Sequence, residues 1–213
     1  MDSVFFILEI IGTVAFAVSG AMIAIKRGMD IFGVIILGLS TAVGGGIIRD
    51  VILGITPPTT FTSPVYSLVA IGTSIAVFLP FVHKVMIHNK KFYDILLLVT
   101  DSIGLGVFSV MGVKVAYTVL NHEYNFFFLV FVGVVTGVGG GIMRDLFANT
   151  TPLIFIKHFY ACASLLGTIV CVVLLRYNVN MILAMAVGAF IVVVLRILAA
   201  KFRWQLPKSH FTE

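Results

Sequence analysis

Charged residues are scarce in this chain. Of its 213 residues only 11% are Asp, Glu, Lys or Arg, whereas a soluble domain carries roughly 25%. So few charges cannot cover a surface that faces water, which excludes an ordinary soluble domain, and the high apolar content excludes a disordered chain. Cysteine is scarce too: Cys162 and Cys171 lie in one apolar run, where a thiol behaves as a small hydrophobic group. No disulfide framework is indicated.

Patterns typical of catalytic and metal centres are also missing. The five histidines lie in loops or near the ends of apolar runs, and there is no HExxH motif, phosphate-binding loop or nucleophile with a neighbouring base. We therefore expect no enzyme activity, no metal site and no cofactor. The net charge of +5 does not indicate a nucleic-acid partner, because the basic residues are concentrated between apolar runs.

What the chain has in abundance is apolar sequence. Hydrophobic residues make up 60% of it, and seven runs are long enough to cross a hydrocarbon layer of roughly 30 Å as helices. The predicted spans are Val4 to Ile25, Ile31 to Gly54, Pro64 to Val82, Phe92 to Thr118, Phe126 to Ala148, Ile154 to Leu175 and Met181 to Ala200. The fold class predicted is an all-α membrane protein with seven transmembrane helices.

Seven spans collect the basic loop residues on one side. That side has Lys26, Arg27, Lys84, Lys90, Lys91, Lys201, Arg203 and Lys208, and the loops of the other side have only Arg176. Because loops rich in Lys and Arg stay in the cytoplasm, we expect the N-terminus outside and the C-terminus in the cytoplasm.

The chain contains an internal duplication. TAVGGGIIRD (residues 41–50) returns as TGVGGGIMRD (residues 136–145), and a similar shift pairs Glu9 with Asp101 and Phe16 with Phe108. Three spans per copy is an odd number, so the second copy enters the membrane from the opposite face. We expect a first three-helix repeat in residues 1–82, an inverted second repeat in 92–175, a seventh helix in 181–200 and a cytoplasmic tail in 201–213.

Each copy carries three consecutive glycines in the middle of an apolar span. Glycine costs roughly 1 kcal/mol relative to alanine inside a helix, so Gly44, Gly45, Gly46 and their repeats Gly139, Gly140, Gly141 predict a kink or local unwinding in the second and fifth spans. Irregular backbone at membrane depth lines a cavity or is buried in protein. The alternative is that the glycines only let helices approach closely.

Charged residues follow each glycine triplet: Arg49 and Asp50 in the first copy, Arg144 and Asp145 in the second. Ionisable groups inside a span usually face a cavity or a partner. One interpretation is a charged passage; another is mutual neutralisation, with Arg49 pairing Asp145 and Arg144 pairing Asp50.

Six further charged residues lie inside or at the ends of predicted spans. The matched acids Glu9 and Asp101 either line a cavity or anchor helices. Lys114 either snorkels to the interface or guards a pore. We expect Arg196 to meet headgroups or water near the end of its span, as we do Lys157 and Asp94.

These residues resemble a known family. Gly12 to Gly54, DSIGLGVFSVMG (residues 101–112) and GVVTGVGGGIMRD (residues 133–145) look like the prokaryotic trimeric intracellular cation (TRIC) channel family. The resemblance implies a seven-helix protomer with two inverted repeats, kinked second and fifth helices, and a homotrimer in the inner membrane with one pore per protomer. It implies passive conduction of potassium, with sodium also permeant, amid membrane lipids.

Two other functions stay open. The same sequences have been called a glycine transporter-like domain, and a broken helix with a nearby acid is one way to bind a zwitterion. A non-transporting membrane scaffold is the other.

For a channel, the predicted ion pathway runs past the glycine triplets, the Thr41 and Thr136 hydroxyls and the carboxylates Asp50 and Asp145. Arg49 and Arg144 hold those acids in this hypothesis and, by pairing differently, set an open or closed state.

Overall fold

The computed structural model describes residues 2–156 and 159–204, and the regular structure in them is helical. The ten helices of these residues are α1 (Asp2–Lys26), α2 (Ile31–Ile52), α3 (Thr59–Thr62), α4 (Val65–Phe78), α5 (Pro80–His88), α6 (Lys90–Val119), α7 (Phe126–Phe147), α8 (Leu153–Ile156), α9 (Tyr160–Arg176) and α10 (Met181–Phe202). Five of them, α1, α2, α6, α7 and α10, are long and apolar enough to cross a membrane, and α4 and α9 are shorter apolar helices. The protein is an all-helical membrane protein. Lys157, Lys208 and most of the predicted tail lie outside the described residues.

Short polar side chains start the long helices. The Asp30 carboxylate accepts a hydrogen bond from the Gly33 amide at 2.8 Å, and Asn89 accepts one from Lys91 at 2.9 Å. Asn125 and Asn180 cap α7 and α10 in the same way. Each cap satisfies an amide that has no partner within its helix. The polar residues that separate the apolar runs in sequence therefore also fix where the helices begin.

Two predicted spans are interrupted. The third is divided at Leu79, which has φ −55° and ψ 135°, into α4 and α5. Pro80 causes this break, because a proline disfavours helical backbone in the residue before it. In the sixth, the short helix α8 precedes the main helix α9, which begins at Tyr160 rather than Ile154.

The helices form two groups that face each other. Helices α1, α2 and α4 contact one another, as do α6, α7 and α9, while α10 packs against α6 and α9. The groups meet where α1 contacts α6 and α2 contacts α7. Lys26, at the end of α1, lies over the ring of Tyr93 near the start of α6, and Lys114, near the end of α6, lies over Phe5 near the start of α1. Helices α1 and α6 therefore run in opposite directions.

The glycine triplets lie where α2 crosses α7, and the α-helix continues through both of them. A β-carbon on Gly45 would overlap the Thr136 carbonyl oxygen, and one on Gly140 would overlap the Thr41 carbonyl oxygen. Local unwinding is therefore absent from both triplets, and the predicted kinks stay a prediction. Glycine at these positions lets two helix backbones touch, which is the packing alternative of the sequence analysis.

A second crossing, between α1 and α6, repeats this symmetry. Phe16 and Phe108 stack with their ring centroids 5.3 Å apart. Each ring lies over a glycine of the opposite helix, Phe16 over Gly104 and Phe108 over Gly12. These matched contacts join the two helix groups at their centre.

Candidate functional site

Arg49 and Asp50, at the end of α2, form a buried pair that holds the following loop. The Arg49 Nη2 lies 2.7 Å from the Asp50 Oδ1. The other oxygen of Asp50 accepts a hydrogen bond from the Thr59 amide at 2.8 Å and one from the Thr59 hydroxyl. Asp50 is fully buried. Its carboxylate therefore fixes the start of α3 as well as neutralising Arg49.

Arg144 and Asp145 repeat this arrangement at the end of α7. The Arg144 Nε donates to Asp145 at 2.9 Å, and the Leu153 amide at the start of α8 donates to the same carboxylate at 2.8 Å. The predicted neutralisation across the symmetry axis is wrong, since each arginine pairs with its own chain neighbour. Adjacent residues at a helix end reach each other without crossing the backbone contact at the glycines.

The Thr59 contact leads to a test of this loop anchor. Thr59→Ala removes the hydroxyl bond to Asp50 and should lower the free energy of unfolding by about 1 kcal/mol. Thermal unfolding in detergent measures it. Thr62→Ala, an exposed position one helical turn later, is the control and should change stability by less than about 0.5 kcal/mol. Equal stability of the two variants would contradict the anchor.

Arg144 has two further partners, on helices α1 and α6. Its Nη1 donates to Asp101 at 2.5 Å and to the Ser19 hydroxyl at 2.6 Å. A second arginine approaches the same carboxylate, because Arg196 Nη2 lies 3.5 Å from the Asp101 Oδ2. The Arg196 guanidinium also lies 4.7 Å from the centre of the Tyr160 ring. One acid thus faces two arginines.

The expectation that Arg196 meets headgroups or water near its span end is wrong. The residue is 3% exposed and points into the helix bundle. Burial of a charge at membrane depth requires a partner, and Asp101 provides it. The local sequence of α10 could not predict this partner, because Arg196 and Asp101 are far apart in the chain.

Two cavities open from opposite ends of the molecule. The first, called the Glu9 cavity, has a volume of about 40 Å³ and is lined by Glu9, Thr13, Gly46, Arg49, Tyr66 and Phe108, among others. The second, called the Asp101 cavity, has a volume of about 700 Å³ and is bordered by Lys90, Lys91, Asp94, Asp101 and Arg196, with apolar side chains between them. The matched acids Glu9 and Asp101 therefore both line cavities, and Asp94 lies at the second one.

The Glu9 carboxylate has a phenol as its neighbour. The Tyr66 hydroxyl of α4 donates a hydrogen bond to Glu9. Within the part of the chain that the structure describes, no arginine or lysine is paired with Glu9. This is the main chemical difference between the two matched acids.

The other predicted pathway residues are distributed differently. Asp50 and Asp145 border neither of these two cavities, and of the six triplet glycines only Gly46 does. The Thr41 hydroxyl donates to the Leu37 carbonyl at 2.5 Å and the Thr136 hydroxyl to the Val132 carbonyl at 2.6 Å. Each hydroxyl therefore donates its hydrogen bond to a carbonyl of its own helix. Lys114 lies 4.9 Å from the ring centre of Phe5, outside both cavities.

Sequence reasoning missed Tyr66 and Tyr160, which contact the charged groups of the two cavities. It also left Phe16 and Phe108 without a role, although the repeat pairs them. That pairing was the available signal for the ring stack. The tyrosines offered no comparable signal.

Comparisons with known proteins agree with this architecture. A family described as Glycine transporter matches residues 6–81 and 98–176. The UPF0126 inner membrane protein YadS of Escherichia coli K12 is 36% identical over 94% of this chain and 93% of its own length. A solved structure of a TRIC cation channel superposes with a TM-score of 0.84, at 40% identity and 99% coverage of both chains. The chain belongs to the TRIC channel family. The TRIC trimeric intracellular cation channel orthologue from Rhodobacter sphaeroides superposes with a TM-score of 0.85, at 33% identity over 95% of this chain and 100% of that one.

The two matched segments of this TRIC family member each include one glycine triplet and the Arg-Asp pair after it. The fold of the described residues is the TRIC channel fold, with α10 lying after the second matched segment.

Proposed function

We propose that the protein is a homotrimeric, potassium-permeable cation channel with one conduction pathway in each protomer. The observation that carries the proposal is the pair of charged cavities that open from opposite ends of the molecule. One is lined by Gly46 of α2, and the other is bordered by Asp101, which contacts Arg144 of α7. Membership of a family whose solved members are cation channels supports the same function.

The proposed route lies between two inverted three-helix repeats, α1, α2, α4 and α6, α7, α9. The opposite directions of α1 and α6 support this arrangement, as do the matched contacts at Gly45 and Gly140. With α10 these helices make seven membrane spans. Asp101 and Phe108 are seven residues apart on α6, a rise of about 10 Å. Because Phe108 lines the Glu9 cavity, a cation beside Asp101 is about 10 Å from that cavity.

In this mechanism Glu9 and Asp101 are the carboxylates that meet the cation. Asp50 and Asp145 act one step away, by anchoring the loops and holding Arg49 and Arg144 in place. The side chains of Phe16 and Phe108 and the α2–α7 contact close the middle of the route in this conformation. Opening then requires these central contacts to separate, and the Arg-Asp pairs at the ends of α2 and α7 are placed to move with them.

The orientation that we propose puts the Asp101 cavity on the cytoplasmic side. Lys26 and Tyr93 are neighbours, so the basic loop after α1 and the basic start of α6 share one side. Lys90, Lys91 and Lys201 belong to that side as well. The positive-inside rule then places the N-terminus outside and the C-terminus in the cytoplasm.

Current recording tests the function. Purified protein in a planar bilayer under a potassium gradient should give single-channel potassium currents, and light scattering should give about three times the 23.1 kDa mass of one chain. Radiolabelled glycine uptake into liposomes of the same preparation is measured in parallel. Saturable glycine exchange without ion current would instead favour an amino-acid transporter, and a silent, folded trimer would reject the channel.

A further inference from the structure

The two cavities differ in the charge that they present to an ion. The Glu9 cavity has one acid, Glu9, which has no basic partner among residues 2–156 and 159–204; the arginine of the cavity, Arg49, is paired with Asp50. The Asp101 cavity is bordered by Lys90, Lys91 and Arg196 against Asp94 and Asp101. When the ion-pair partners are counted with the lining residues, Asp50 for the first cavity and the Arg144–Asp145 pair for the second, the Glu9 cavity has one net negative charge and the Asp101 cavity one net positive charge.

Arg196 causes much of this difference, and it comes from outside the repeat. Helix α10 has no counterpart in the first helix group, so the Glu9 cavity has no residue equivalent to Arg196. Arg196 borders the Asp101 cavity and pairs with Asp101, which is the counterpart of Glu9 in the second repeat. Among the described residues, the buried Nε of Arg196 donates no hydrogen bond and the buried Oδ2 of Asp101 accepts none. Arg196 and Asp101 both border the cavity, and each keeps one polar atom without a hydrogen bond beside their ion pair.

We propose that this difference makes the pathway rectify: cations enter more readily from the Glu9 cavity than from the Asp101 cavity, and Arg196 is the residue that sets the asymmetry. The inference rests on the proposed channel function. Its physical basis is simple electrostatics. A unit charge about 7 Å from an ion, even at the dielectric constant of water, changes the ion's occupancy about threefold.

Arg196 acts here as a positioned charge and not as an ion ligand. It lowers cation occupancy of the Asp101 cavity and holds Asp101 in an ion pair. In the other cavity, the negative charge of Glu9 raises cation occupancy. With the proposed orientation, potassium passes more easily into the cell than out of it.

Patches excised from bacterial spheroplasts, in which the protein has one orientation, provide the test. At low salt the wild-type current carried from the Glu9 side should exceed the opposite current at equal and opposite voltage. The ratio should approach one as salt rises from 0.1 M to 1 M, because the Debye length falls from about 10 Å to about 3 Å. Symmetric wild-type current at low salt would overturn the proposal.

Three variants assign the asymmetry to its residues. Arg196→Gln should raise the current from the Asp101 side about threefold, and Glu9→Gln should lower the current from the Glu9 side by a similar factor. Arg196→Lys is the matched control, because it keeps the charge and should keep the wild-type ratio. The role of this charge would be contradicted if Arg196→Gln kept the wild-type ratio of the currents from the two sides. It would also be contradicted if that ratio fell to one in Arg196→Lys.

The design separates this inference from the channel function itself. Absence of current from the wild-type protein rejects the channel, whereas symmetric current rejects only the rectification. Should Arg196→Gln fail to assemble, Lys90→Gln with Lys91→Gln alters two exposed charges at the mouth of the same cavity. That double variant should also raise current from the Asp101 side, and no change in it would count against the proposal.

Discussion

Replacing Gly45 by alanine should lower the melting temperature of the protein in detergent by roughly 6–12 °C. A β-carbon at this position overlaps the Thr136 carbonyl oxygen, and a backbone atom cannot rotate away as a side chain can. Overpacking of this kind costs about 3 kcal/mol at the upper end of its usual range, and each kcal/mol lowers the melting temperature of a chain this long by roughly 2–4 °C.

The adjacent glycine provides the control for that prediction. A β-carbon on Gly46 meets nothing closer than the Arg49 Nη2 at 3.9 Å, so Gly46→Ala should melt within about 2 °C of the wild-type protein. Gly140→Ala should behave like Gly45→Ala, since it overlaps the Thr41 carbonyl in the matched position. Equal stability of Gly45→Ala and Gly46→Ala would contradict the close approach of the α2 and α7 backbones at Gly45.

Removing the Arg144 charge should be the other severe change. Arg144→Met leaves Asp101 and Asp145 buried with less compensation, and the loss of one partner from a buried ion pair costs about 3–5 kcal/mol. Arg144 itself is fully buried and contacts Asp101, Asp145 and Ser19. Unfolding of the purified protein by denaturant in mixed micelles measures the difference.

Two controls separate the ion network from general damage. Arg27→Met, at an exposed position in the turn after α1, should change stability by less than about 0.5 kcal/mol. Adding Asp101→Asn to Arg144→Met removes one of the uncompensated acids and should recover part of the loss. A double variant that is less stable than Arg144→Met alone would contradict the pairing of these two residues.

Hydropathy and the repeat predicted much of the architecture. Apolar runs separated by polar residues located the long helices, because the same polar residues cap them, as Asn89 and Asn125 do. The sixth span was predicted as one helix because hydropathy alone cannot separate α8 from α9, whereas the break before Pro80 had a local cause that the sequence contained.

The glycine triplets show why local propensity misled the interpretation of the site. The cost of glycine in a helix is measured without a neighbour, and it predicted unwinding at Gly45 and Gly140. A second helix in backbone contact reverses that preference, because only glycine leaves room for it. The contact between α2 and α7 therefore decides the conformation at the glycine triplets. The alternative that the glycines let two helices approach closely gave the right physical reason.

The partners of the charged residues could be predicted only in part. The repeat identified Glu9 and Asp101 as equivalent acids, and both line cavities. It could not supply Arg196, because α10 lies outside the duplication. One of its two interpretations paired Arg49 with Asp145, whereas Arg49 pairs with its neighbour Asp50. The chemical difference between the cavities arises from that unrepeated helix.

The most direct test of the proposed route is the single-channel current of Gly46→Leu. Gly46 lines the Glu9 cavity of about 40 Å³, and an added β-carbon there would meet only the Arg49 Nη2, at 3.9 Å, so a leucine side chain should fill the cavity while the protein remains folded. We expect the potassium current to fall more than tenfold. The control is Gly72→Leu in α4, where an added β-carbon would meet nothing within 4 Å, and this variant should retain the wild-type current. A folded Gly46→Leu variant that conducts as well as the wild-type protein would show that cations do not pass through this cavity.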